Sequence, residues 1–124
     1  MDEDTSDPVP APEICLVLDA VDVDVVASFW ANALGYRRVD RLGPFVVLVP
    51  SEGAAGPVFL VQAVPEAKAT KNRMHLDLHV AEPDAEARRL VELGATRLGE
   101  GALGEIAWIN MADPEGNEFD LGQR

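Results

Sequence analysis

Leu34-Gly35-Tyr36-Arg37-Arg38-Val39 and Leu93-Gly94-Ala95-Thr96-Arg97-Leu98 are two versions of one phrase, set 59 residues apart in a chain of 124. Each copy stops a helical run on leucine–glycine and restarts as an extended segment. Working outward, the first copy is preceded by an apolar extended run over 14–20, then Asp22 as a helix cap, then Val25, Val26, Phe29, Trp30 and Ala33 at helical spacing. Gly35 supplies the left-handed residue that ends such a helix. The second copy is preceded by an extended run over 74–80 and a helix over 83–93. Three short extended runs follow each helix: 36–40, 44–49 and 58–64 in the first half, and 96–99, 105–111 and 118–121 in the second. Duplication at this period predicts an α+β fold of two βαβββ modules, 14–64 and 74–122, within one domain over 14–124. The strand faces of the two copies are expected to meet in a cleft.

Bulk properties narrow the partners. Net charge is −12, and the ten Lys and Arg are scattered, which disfavours nucleic acid, because a duplex needs a clustered cationic face. A neutral or cationic small molecule fits better. Asp2, Glu3, Asp4, Asp7 and Glu13 crowd the start together with Pro8, Pro10 and Pro12, so residues 1–13 read as a flexible acidic tail. No apolar run approaches the roughly 20 residues of a membrane span. The opening residues lack the basic region and apolar core of a secretory signal, and Cys15 is alone. A cytoplasmic protein is expected, with Cys15 as a small buried hydrophobe.

Strand alternation sorts the polar candidates. In Met74-His75-Leu76-Asp77-Leu78-His79-Val80, His75, Asp77 and His79 share one face, while Leu76, Leu78 and Val80 share the other. Asp19, Gln62 and Asp120 fall on the corresponding faces of other strands. Trp108, Phe45 and Phe59 can point to core or cleft. If Trp108 and Phe45 line the cleft, they make a stacking wall for a planar ligand. Phe29 and Trp30 read as filling between helix and sheet, and Arg88-Arg89 as part of a solvated helix face.

Phe29-Trp30 ahead of Leu34-Gly35, the strand Met74-His75-Leu76-Asp77-Leu78 and the ending Asp113-Pro114-Glu115-Gly116-Asn117-Glu118-Phe119-Asp120-Leu121 together resemble the vicinal oxygen chelate superfamily. Its members include glyoxalase I, bleomycin-resistance proteins, fosfomycin-resistance enzymes and extradiol dioxygenases. Lys71-Asn72-Arg73 before Met74 is similar to a signature of the actinobacterial glyoxalase-like branch. The resemblance implies paired βαβββ modules forming a half-barrel and a homodimer. In metal-dependent members it also implies a divalent ion (zinc, nickel, manganese or iron). His75 matches the fifth-strand histidine ligand, and Asp120, seven residues after Asp113, is a shortened form of the terminal glutamate. The first-strand ligand position falls on Cys15 or Leu16 and the fourth-strand position near Gln62, neither a strong ligand.

Three functions remain open on these residues. One is a binding module that sequesters a small metabolite or antibiotic, with His75 and Asp120 central and Gln62, Asp77, His79, Trp108 and Phe45 lining the ligand. Another is a metal-dependent lyase or isomerase of the glyoxalase type, with His75 and Asp120 as ligands. The third is a metal-free enzyme using His75 with Asp120 or Asp77 as an acid–base pair. Against all three stands the bland alternative that Asp77 and His79 merely occupy the wet face of a half-solvated sheet.

Overall fold

A computed structural model describes residues 10–124; residues 1–9, most of the expected tail, lie outside the described residues. The first module runs β1 (Cys15–Ala20), α1 (Val23–Leu34), β2 (Tyr36–Leu42), β3 (Phe45–Pro50) and β4 (Val58–Ala63). The second runs β5 (Leu76–Val80), α2 (Pro83–Glu92), β6 (Thr96–Leu103), β7 (Ile106–Ala112) and β8 (Glu118–Gln123). Each module forms its own four-stranded sheet, in the orders β1-β4-β3-β2 and β5-β8-β7-β6. The pairs β1/β4 and β5/β8 are parallel and the rest antiparallel. The βαβββ repeat read from the sequence is therefore the architecture.

Local chemistry accounts for the helices. The Asp22 carboxylate accepts from the backbone N–H of Val25 at 3.2 Å, and Gly35, at φ 67°, donates its N–H to the Ala31 carbonyl. Val23, Val26, Ala27, Phe29 and Trp30 then fall on one stripe, and all are buried. In α2, Pro83 starts the helix where its missing N–H costs nothing, and Ala87 and Leu90 go inward. Full burial of Leu90 contributes about 2–3 kcal/mol by area.

Both helices pack on the inner faces of the sheets, and these inner faces share one core. Val46, Leu48, Phe59 and Val61 come from the first sheet; Ile109, Met111, Phe119 and Leu121 come from the second. Trp30 stacks on Phe59 at 5.6 Å and meets Phe119 edge-on at 5.0 Å, so α1 of one module plugs the sheet of the other. The opposite faces of the sheets lie on the outside.

The Asp113–Asn117 turn fastens the modules. Asp113 is 2% exposed, and its carboxylate accepts from Trp30 Nε1 at 2.9 Å, from the backbone N–H groups of Glu115 and Asn117, and from the Asn117 amide. Glu115 reaches back to accept from the N–H groups of Val21 at 2.8 Å and Asp22 at 2.7 Å, where β1 turns into α1. The family resemblance marks this stretch, but its bonds to Trp30, Val21 and Asp22 join residues 83 to 94 positions apart and leave no local signal in the sequence.

Three expectations are corrected. Cys15 is exposed, because β1 is an edge strand and its first side chain faces away from the helix. The strand that starts at Thr96 does not stop at Gly99 but runs to Leu103, pairing through Leu103↔Ile106 around Gly104. Arg89 is not merely solvated: besides pairing with Glu86 at 2.7 Å it donates to the carbonyls of Asn32 and Ala33 at the end of α1. A cation there suits the negative end of the helix dipole.

Candidate functional site

The outer face of the second sheet carries most of the candidates, because alternation along β5, β7 and β8 and the register between them lay side chains in rows. One row is Asp77 on β5, Asp120 on β8 and Asn110 on β7, joined through Asp77↔Asp120 and Asn110↔Asp120. The next is His79, Gly122, Trp108 and Gly101, joined through His79↔Gly122, Trp108↔Gly122 and Gly101↔Trp108. His75 stands just before β5 and leans over the first row. Its Nε2 lies 3.2 Å from Asp77 Oδ1 and 3.3 Å from Asp120 Oδ2. Asp120 is the sheltered carboxylate, 18% exposed against 56% for Asp77, and Asn110 Nδ2 donates to its other oxygen at 2.8 Å.

Beside these rows lies a cleft of about 680 Å³ lined by His75, Asp77, His79, Trp108, Asp120 and Gly122, and also by Glu105 in the β6–β7 turn with Ile106 and Ala107 at the start of β7. Trp108 thus faces the cleft, whereas Phe59 lies in the core. Further along the same face, Glu118 accepts from the Asn72 N–H at 3.0 Å and pairs with Lys68 at 3.3 Å. The Asn72 N–H, supported by Lys68, holds the Glu118 carboxyl below its usual range against an opposing desolvation. This ties the connector between the modules to the end of the site.

Gln62 and Phe45 are placed differently. They pair across β3 and β4, with Asp19 beside Gln62 on β1, on the outer face of the first sheet. None of the three lines the second-module cleft. One chain therefore gathers His75, Asp77, His79, Trp108 and Asp120 and leaves Gln62 and Phe45 on a separate surface. Asn110 escaped the sequence reading, although it is the polar residue in the apolar run Ala107-Trp108-Ile109-Asn110-Met111 and alternation puts it beside Trp108.

The donor set tests whether a metal suits the site. One atom each from His75, Asp77 and Asp120 lies within 4.8 Å of the others. Bonds of about 2.1 Å to one ion bring neighbouring ligands roughly 3–4 Å apart, so modest closure suffices. One imidazole with two carboxylates suits a borderline divalent cation. These three residues fit such an ion without help from the first module, where the remaining positions implied by the resemblance fall on Cys15 or Leu16 and near Gln62.

Residues 15–122 match the Glyoxalase-like domain family. No curated protein matches the chain. Among solved structures the chain is similar to a genomically encoded fosfomycin resistance protein from Listeria monocytogenes, with TM-score 0.75 at 15% identity, covering 94% of this chain and 95% of that one. It is similar also to a glyoxalase/bleomycin resistance protein/dioxygenase family enzyme from Burkholderia phytofirmans PsJN, with TM-score 0.72 at 14% identity over 88% and 95% of the two chains. A third is a bleomycin-binding protein from Streptomyces verticillus, solved with copper(II)-bleomycin, with TM-score 0.64 at 18% identity over 94% and 99%. At these identities the likeness is one of fold. With a family match across both modules and the paired βαβββ sheets in place, the chain belongs to the glyoxalase-like domain family of the vicinal oxygen chelate superfamily.

Proposed function

We propose that this protein binds a small organic molecule against the outer face of the second sheet, with His75 and Asp120 as the central polar contacts and Asp77, His79 and Trp108 around them. The observation that carries this reading is the juxtaposition, in one cleft of about 680 Å³, of an aromatic surface with an imidazole and two carboxylates. That volume suits a metabolite or antibiotic of drug size. The net charge of −12 favours a neutral or cationic ligand over an anionic one. The bleomycin-binding neighbour lends the idea of sequestration, and the fosfomycin-resistance neighbour that of antibiotic chemistry.

The second reading is a metal-dependent lyase or isomerase, favoured by the convergence of His75, Asp77 and Asp120. A divalent ion held by these three would supply Lewis-acid polarisation of a ligand oxygen. In either reading the protein is cytoplasmic and a homodimer. Val17 and Val58 are 53% and 38% exposed on the first sheet's outer face, apolar area that a second copy would cover while bringing Gln62 and Phe45 to the ligand.

A thermal-shift panel of metabolites and antibiotics, run with and without chelator, tests both readings. Expected is a compound that raises Tm in chelator and whose affinity falls about 10- to 100-fold in His75→Ala while the unliganded Tm is kept. Loss of the shift in chelator selects the metal reading. Affinity unchanged from wild type in both His75→Ala and Asp120→Ala overturns this site.

A further inference from the structure

The floor of the cleft is flat because two of its four positions have no side chain. A methyl group at Gly101 would overlap Cε2, Cζ2 and Nε1 of Trp108, so the indole lies directly on the backbone of β6. At Gly122 a methyl group would come within 3.2 Å of His79 Cδ2, so the imidazole lies down over β8 in the same way. Neither glycine has a positive φ, so conformational freedom is not what either supplies. What they supply is room. The first module has the same register, and there Leu42 and Gln62 occupy the places of Gly101 and Gly122.

Two rings lying flat in one row leave their π-faces available to a ligand. The adjoining row is Asp77, Asp120 and Asn110, so the edge of anything resting on that floor meets carboxylates. A planar ring that carries positive charge satisfies both rows at once, stacking on the indole with a cation–π component and facing the carboxylates with its polarised edge. We propose that Gly101 determines specificity by seating Trp108 flat, and that the cleft selects a planar organic cation. This rests on the small-molecule reading above and names the ligand class for that cleft.

Gly101→Ala gives a clean test, since the backbone accepts alanine and only the indole must leave. Gly99→Ala is the control: it lies on the same strand, and its methyl group would meet nothing nearer than Asn110 Oδ1 at 3.8 Å. The probes are N-methylquinolinium and, as a planar anion of similar size, 2-naphthoate, each followed by tryptophan fluorescence and by calorimetry. Expected is N-methylquinolinium binding at least tenfold tighter than 2-naphthoate, weakened at least tenfold by Gly101→Ala and less than twofold by Gly99→Ala. Equal binding of the two probes, or an affinity indifferent to Gly101→Ala, overturns the proposal. So does failure of N-methylquinolinium to bind while a metabolite or antibiotic still binds in a His75-dependent way, and then the broader reading stands. If neither probe nor any panel compound binds, both fall together.

Discussion

The two modules share a fold and differ in what their outer faces present. Position for position, Val17, Leu60 and Val47 of the first sheet correspond in register to Asp77, Asp120 and Asn110 of the second. In the next row, Asp19, Gln62, Phe45 and Leu42 correspond to His79, Gly122, Trp108 and Gly101. The inner faces, by contrast, are apolar in both modules: Phe59 and Val61 on β4 answer to Phe119 and Leu121 on β8. Strand periodicity makes this division possible, because alternate residues answer to separate demands. One set builds the core, and the other is free to acquire chemistry.

The comparison makes inner positions costly to change and outer ones cheap for stability. The largest effect is expected from Phe119→Ala, which empties a fully buried site between Phe29 and Trp30 and should lower the unfolding free energy by about 3–5 kcal/mol in urea melts. A loss under about 1 kcal/mol would mean that the two inner faces do not share a core. Next is Asp113→Ala, which strips the acceptor from Trp30 Nε1 and from the buried Asn117 amide; a loss of about 2–3 kcal/mol is expected in the same assay. A neutral result would show that the turn does not fasten the modules.

The smallest effect lies at the outer face and depends on pH. The Asn72 N–H holds the folded Glu118 carboxyl below its ordinary value of 4.5. Its contribution is therefore present above pH 4.5 and is lost as pH falls through the folded value, where the native carboxylate must take up a proton. Glu118→Gln should lower the unfolding free energy at pH 7 by about 1 kcal/mol or less, with the gap from wild type closing toward pH 3. A gap that widens on acidification would reverse the assignment.

The parts of the structure legible in the sequence are those where a period and a stop signal coincide. Helix α1 is one, since Asp22, the apolar stripe and Gly35 all agree, and the run His75-Leu76-Asp77-Leu78-His79 alternates cleanly enough to place three candidates on one surface. Gly99 and Gly101 misled for a physical reason. Glycine weakens a strand on average, yet in β6 its missing side chain is what Trp108 occupies. Arg89 and Glu115 were opaque because their partners, Ala33 and Asn32 in one case and Val21 and Asp22 in the other, are distant in the chain. Gln62 and Phe45 show a further limit. Alternation tells which side of its own sheet a residue takes, but not which sheet it will confront.

The clasp made by Trp30, Asp113 and Glu115 has a consequence for stoichiometry. By locking the helix-bearing sides together it turns both sheets outward, so every polypeptide offers one mostly oily surface and one polar surface that cannot fold over each other. Pairing by a two-fold axis that sets unlike surfaces opposite one another would then enclose two chambers per pair, each assembled from both polypeptides, and occupancy would count as one guest per chain.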